Sequence, residues 1–353
     1  MQRLAAAKQS LRPRVVFSGI QPTGVPHLGN YVGALKQWVN LQREERPSTK
    51  LIYSIVDLHA ITVPQPPETL RQRKREVLAA LLAIGLDPDR CTIFHQSSVP
   101  AHSELMWILA CTASVGYLSR MTQWKSKLSL ASSSTLEDAP VGSRLKLGLF
   151  SYPVLQAADI LVHRATHVPV GHDQQQHLEF ARECVTNFNH AYGSHLVHPS
   201  TIISPTQRIM SLTEPTSKMS KSHKAERSRI LITDVPEDIR SKVATALTDS
   251  IPGISYDPAA RPGISNLLEI LSAFDTERRS PAQLAEVYAN ASPRMFKDAV
   301  ADTLVAGLHG VRDRYLELSA NDSYLDMIER QGARKAQESA QETMDIVRAA
   351  VGL

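Results

Sequence analysis

At 353 residues the chain has room for two domains, or for one large domain with an appendage. Its 42% hydrophobic and 21% charged residues are an ordinary globular balance, and a net charge of +4 permits a polyanionic partner without demanding one. Three scattered cysteines (Cys91, Cys111 and Cys184) with no Cys-x-x-Cys argue against a zinc site or a disulfide framework, and no apolar run reaches transmembrane length.

The first residues hold Arg3, Lys8, Arg12 and Arg14 among Ala, Ser and Leu, with no acidic residue before Glu44. Residues 1–14 therefore read as a short organellar leader or as a frayed basic tail. The apolar run from Val15 to Phe17 then stops at Ser18-Gly19, and the turn Gln21-Pro22-Thr23-Gly24 follows. After it, His27-Leu28-Gly29-Asn30 opens an amphipathic segment with Val32, Leu35, Trp38 and Val39 at helical spacing. Strand, glycine turn and helix N-terminus make an anion site, where backbone N–H groups face the ligand. Gly19, Gly24 and Gly29 would let a bulky phosphate ligand lie close to the main chain. The spacing is neither the dinucleotide fingerprint nor the P-loop, so a nucleotide would be held in another way.

Leu51 to Asp57 reads as a buried strand ending in Asp57-Leu58-His59, and Glu68 to Ile84 as a helix stopped by Gly85. Cys91 to His95 is a third strand, and Ser103 to Thr112 a helix. This alternation implies βαβ units and a parallel sheet, with ligands beyond the strand carboxyl ends. From Ser126 to Lys146 the chain turns to Ser, Gly, Pro and Thr, a mobile loop beside the site or an inert insertion, flanked by Lys125, Lys127, Arg144 and Lys146. Tyr152 to Val162 is a helix with Asp159 in an apolar face. His167 to Gly171 is a strand, and Asp173 starts the next helix. Arg208 to Leu212 reads as one more short strand, leading into the polar loop Glu214 to Ser222. From Pro236 strand signals vanish and helical periodicity runs almost to Leu353. Thirteen histidines, several between His163 and His198, raise a metal reading, but the scattered cysteines lend it no support.

His27-Leu28-Gly29-Asn30 paired with Lys218-Met219-Ser220-Lys221-Ser222 resembles the two signature motifs of class I aminoacyl-tRNA synthetases. Phe17 to Gly24, Tyr152 to Asp159 and Val168 to Gln174 narrow the resemblance to the bacterial and mitochondrial tryptophanyl-tRNA synthetase family. It runs from about Val15 to the C-terminus, with the Ser-rich loop longer than expected. The resemblance implies an α/β fold: a Rossmann-like catalytic domain over residues 15–235, holding an inserted dimerisation and substrate segment and the loop 126–146, then a helical tRNA anticodon-binding domain over 236–353. It further implies ATP with Mg²⁺, L-tryptophan and tRNA(Trp) as partners, a homodimer, no membrane, no protein-held metal, and the mitochondrial matrix, with the bacterial cytoplasm as alternative.

Amino-acid activation needs a carboxylate to attack the α-phosphate of ATP in line, so positioning and charge neutralisation carry the work. By resemblance the catalytic residues are Lys218 and Lys221, meeting charge on the leaving pyrophosphate, with Lys125 as a third cation and His27 donating toward the phosphates. The nucleotide would also meet Gln21, Pro22, Thr23, Gly29, Asn30, Gly171, His172, Asp173, Ile209, Met219, Ser220 and Ser222. Asp159 is the expected acceptor for the indole N–H, because a buried carboxylate is costly unless paired and phenylalanine would leave it unpaired. The alternative is pairing with an internal cation. Phe17, Gly19, Val56, His59, Ile160, Val168 and Val170 are expected around the ring, with Tyr152, Gln156 and Gln174 holding the α-amino group.

Two positions depart from the family pattern, which is acidic where this chain has His172 and His223. Rival functions are a tyrosyl enzyme of the same fold, a small-molecule nucleotidylyltransferase, and a non-catalytic RNA-binding paralogue. The long helical tail and the paired lysine loop argue against the second, and retention of both Lys218 and Lys221 against the third.

Overall fold

The computed structural model describes residues 13–128, 145–171, 175–203, 208–221 and 223–353. In chain order the elements are β1 (Val15–Ile20), α1 (Leu28–Asn30), a π-helical stretch (Tyr31–Leu35), α2 (Lys36–Glu44), β2 (Lys50–Ile55), α3 (Asp57–Ala60), α4 (Pro67–Ala83) and β3 (Thr92–His95). Then come α5 (Ala101–Ala110), α6 (Val115–Arg120), α7 (Thr122–Lys127), α8 (Leu147–Leu161), β4 (His167–Val170), α9 (Gln175–Tyr192) and β5 (Ser200–Ile203). The C-terminal region is helical: α10 (Pro236–Ala244), α11 (Pro262–Phe274), α12 (Pro281–Val287), α13 (Pro293–Gly307), α14 (Val311–Ser319) and α15 (Asp322–Val351).

The five strands pair in parallel in the order β3-β2-β1-β4-β5, so the expected Rossmann-like sheet is present. Chain order reverses between β1 and β4, which opens a crevice outside the strand carboxyl ends at that point. Alternation along β1 sends Val16 and Phe17 to opposite faces, each into its own core. On the Val16 face the core runs on through Trp38, stacked on Tyr53 at 4.4 Å, and into Ile239, Leu267, Phe296 and Leu304 of the helical region. On the Phe17 face it is closed by α5, α8, α9 and the last turns of α15.

Local chemistry explains most boundaries. Pro sits in the first turn of α4, α10, α11, α12 and α13, where its missing N–H costs nothing. Gly85 ends the α4 region with φ +99. Ser280 and Gln283 form a reciprocal capping box on α12.

Three expectations are corrected. Arg208 to Leu212 is not a strand: Ser211 N–H bonds back to Ser217 C=O, and Met210 makes only an isolated bridge to Lys218. Its backbone groups are used to close a loop, so none are left for a sheet. The fifth strand is instead β5, four residues too short to show alternation. The loop expected from Ser126 begins later, because α7 continues to Lys127, and α8 starts at Leu147, five residues before Tyr152. The middle of that loop, 129–144 with Arg144, lies outside the described residues.

The 30-residue α15 spans about 45 Å at 1.5 Å per residue. It returns to the sheet and lies on β3 and α5. Gly332 makes this approach possible, since a Cβ there would fall 1.7 Å from Ile93 O. Arg75 bonds Asp322 and Asp326 near its start, and Arg348 grips Glu104 with two bonds of 2.6 and 2.7 Å near its end.

Candidate active site

The two signature segments, almost two hundred residues apart, meet at the carboxyl end of β1. Leu28 N–H bonds Ile230 C=O, Ile232 N–H bonds Pro26 C=O, and His27 bridges Leu231. Buried Met219 packs on Gly29, its Cβ 3.6 Å from where a Gly29 Cβ would lie, and Met219 N–H bonds Ile209 C=O. Lys221 Nζ donates to Thr23 C=O at 3.0 Å and Gly24 C=O at 2.7 Å, tying the lysine loop to the opening turn. Gly24 holds φ +88, and an added Cβ would meet the Glu76 carboxylate at 3.0 Å. Burial lowers the Lys221 pKa to about 8, and Arg73 and Arg229 add to this while Glu76 opposes it. Lys218 is exposed.

His27 caps α1. Its Nδ1 accepts from Asn30 N–H at 3.3 Å while Asn30 Oδ1 accepts from His27 N–H at 3.2 Å. Burial, then Lys221, Lys218 and Arg229, pushes its pKa down to about 4. The ring is therefore neutral near pH 7, and with Nδ1 accepting, Nε2 carries the proton and is free to donate toward an anion. The π-helical stretch that follows is a geometry enriched at functional sites.

The second half of the site lies on α3, α8 and the end of β3. Gly19 leaves room for Val56, whose Cγ1 would sit 2.9 Å from an added Cβ. Asp159 on α8 is buried, and three donors surround it. His59 Nε2 lies 2.8 Å from Oδ2, while His102 Nδ1 at 2.7 Å and Gln96 Nε2 at 2.6 Å share Oδ1. Burial alone would raise its pKa, but the bonds from His102 and His59 outweigh it and hold the carboxyl well below the usual carboxylate range. Tyr152 OH lies 2.9 Å from His177 and 2.8 Å from Gln123, and its ring meets His59 edge-on at 6.1 Å. Phe17, Ile160 and Val168 are buried in the core of the same sheet face. Lys125 is held in α7 with its ammonium 5.6 Å over the Trp124 ring, buried and not on a loop. His223 contacts Glu214 at 3.3 Å, so this histidine faces an acid.

His172, Asp173, Gln174 and Ser222 lie outside the described residues, as does the side chain of Val170. Sequence reasoning missed Gln96, which follows β3 directly, a place where polar side chains reach a strand-end crevice, and His102 in the first turn of α5. It also missed buried Asn266, whose amide grips both Met210 N–H at 2.8 Å and Met210 C=O at 3.1 Å and so orients the segment bridged to Lys218.

Comparison with known proteins decides among the enzymes that share this fold. The family model for class I tRNA synthetases (W and Y) matches residues 9–308. The mitochondrial tryptophan–tRNA ligase of Schizosaccharomyces pombe is 45% identical over 345 residues, 96% of this chain and 95% of that one. The chain belongs to the tryptophanyl-tRNA synthetase family. Among solved members, the enzyme from Mycoplasma pneumoniae superposes with a TM-score of 0.81 at 31% identity, over 97% of this chain and 98% of that one. The tryptophanyl-tRNA synthetase of Campylobacter jejuni complexed with ADP and tryptophan gives 0.76 at 31%, over 96% and 100%. A tyrosyl-tRNA synthetase from Aeropyrum pernix, at 20% identity, TM-score 0.68 and 97% and 94% coverage, shares the fold alone. The tyrosyl alternative thus loses to the tryptophanyl family on similarity.

Proposed function

We infer that the chain activates L-tryptophan with ATP to tryptophanyl-adenylate, releasing pyrophosphate, and then esterifies the 3′ end of tRNA(Trp), releasing AMP. One observation carries the reading: the His27 turn and the Met219–Lys221 segment form a single anion-facing site, with Val56 and His59 leading from Gly19 to the buried Asp159. Neutral His27 donates Nε2–H toward the phosphates. Lys221, now resting on neutral carbonyls, exchanges them for the more strongly attracting pyrophosphate oxygens as the bond breaks. Lys218 and Lys125 add positive charge, and no nucleophilic side chain is required. Asp159 accepts the indole N–H. ATP enters with Mg²⁺ on its phosphates as part of the substrate.

A homodimer is supported by Trp107, Val115 and Leu147, large apolar side chains that are 70%, 62% and 79% exposed on α5, α6 and α8. The helical region 236–353 is assigned to the tRNA anticodon, through phosphate-binding Arg and Lys and splayed bases. The acid-poor residues 1–14 and the mitochondrial relative favour the mitochondrial matrix, with the bacterial cytoplasm as alternative. Mass measurement of the mature N-terminus tests that assignment. The activity is tested by ATP–pyrophosphate exchange across twenty amino acids. Exchange driven by tryptophan is expected; exchange driven by tyrosine, or by none, overturns the reading.

A further inference from the structure

We propose that Gln96, His102 and His163 are positioning residues that aim the Asp159 carboxylate at the indole ring, with Ser339 of α15 anchoring the far end of the chain. The inference rests on the reading of Asp159 as indole acceptor. An ionised carboxylate only accepts hydrogen bonds, so every neighbour at hydrogen-bond distance must present a proton. His102 therefore carries its proton on Nδ1, and His59 on Nε2. Gln96 is oriented independently, because its side-chain oxygen accepts Leu58 N–H at 3.0 Å, which turns its amide nitrogen toward Asp159. Oδ1 has two donors and Oδ2 has one, His59. With two lone-pair directions per oxygen, the donors among the described residues leave one acceptor site, on Oδ2 beside His59.

His102 cannot hold this geometry alone, since an imidazole can spin about its Cβ–Cγ bond. Its opposite edge is fixed by His163, Nε2 to Nε2 at 3.3 Å, and His163 Nδ1 lies 3.2 Å from Ser339 Oγ. With its one proton on Nδ1, the neutral His102 ring accepts at Nε2, so His163 donates from Nε2 and its Nδ1 accepts from Ser339 Oγ–H, a single proton order that keeps His102 Nδ1–H pointed at Asp159. The His163 ring is in turn held by Phe17, stacked at 5.7 Å, and Phe94, edge-on at 5.5 Å. Phe17 is itself an expected wall of the ring pocket. Removing His163 frees His102 to turn, Oδ1 loses a donor, and the carboxylate rotates to recover one.

The test uses the full-length enzyme in amino-acid-dependent ATP–pyrophosphate exchange, with tryptophan and with its benzothiophene analogue, which lacks the indole N–H. Wild type should prefer tryptophan by about 100-fold or more in kcat/KM, as sites built around one hydrogen bond do. His163→Leu should lower that preference about tenfold through a raised tryptophan KM, with the KM for ATP unchanged. His163→Gln, whose amide can donate at the Nε2 position, should restore it to within about threefold, and Ser339→Ala should lower it about two- to threefold. Equal use of both amino acids by wild type would refute the role of Asp159 itself. Wild-type preference kept in His163→Leu at unchanged tryptophan KM would overturn the positioning role alone. So would a loss shared equally by tryptophan and ATP. If His163→Leu fails to fold, full preference in Ser339→Ala overturns it.

Discussion

Gly29→Ala is the most direct probe of the junction between the two signature segments. The added Cβ would lie 3.0 Å from His27 Cε1, 3.1 Å from His27 Nδ1 and 3.6 Å from Met219 Cβ. Met219 is buried and cannot retreat, so the imidazole has to swing. Swinging breaks the contact between Nδ1 and Asn30 N–H, a capping bond whose loss costs about 1 kcal/mol. The crowding adds about 1–3 kcal/mol. It also turns Nε2–H away from the proposed nucleotide position. If 1–3 kcal/mol of that interaction is felt in the transition state, kcat/KM for ATP falls roughly 5- to 150-fold. Tryptophan KM should change little, because Asp159 and its donors do not touch Gly29. Gly33→Ala is the control, since a Cβ there meets nothing within 4 Å. Exchange kinetics with each substrate varied in turn decide the matter. A raised tryptophan KM at unchanged ATP KM would refute the assignment of this turn to the nucleotide.

The lowered Lys221 pKa of about 8 predicts two opposite pH trends. Below pH 8 the ammonium is charged, so kcat/KM for ATP should fall as pH rises through about 8, and Lys221→Arg should abolish that limb. Between pH 8 and 10.5 the unfolded chain binds more protons than the folded one at this residue, so its contribution to stability should rise with pH, read by urea denaturation. A flat kcat/KM profile from pH 7 to 9.5 would contradict the first trend. Asn266→Leu leaves Met210 N–H and C=O without their partner; exchange kcat should drop roughly ten- to hundredfold with tryptophan KM retained, and an unchanged kcat would show that the lysine loop does not need this grip. Gly332→Ala drives a methyl group into Ile93 O, so α15 must lift off β3; a loss of about 3 kcal/mol or more is expected by denaturation, and a midpoint within error of wild type would contradict the packing.

Much of the local structure around the candidate site was legible from local pattern. Gln21 to Asn30 declared itself because a strand, a glycine turn and a helix start each need particular residues at fixed short offsets. The same holds for Gly85 behind α4 and Pro236 at the start of α10. Arg208 to Leu212 misled for the complementary reason. Its apolar spacing fits a strand, but whether those backbone groups pair with a neighbour or with Ser217 and Asn266 depends on where α11 lies. The sequence by itself determined the parallel sheet, the glycine turn after its first strand, the paired lysines and an apolar helix carrying Asp159, since each is written within a few adjacent residues. Only the tertiary structure decided that Lys221 rests on Thr23 and Gly24, that Gln96, His59 and His102 surround Asp159, and that α15 returns to the sheet to bring Ser339 behind His163. A buried charge takes its donors from whatever packing brings within 3 Å, and no spacing along the chain records that distance.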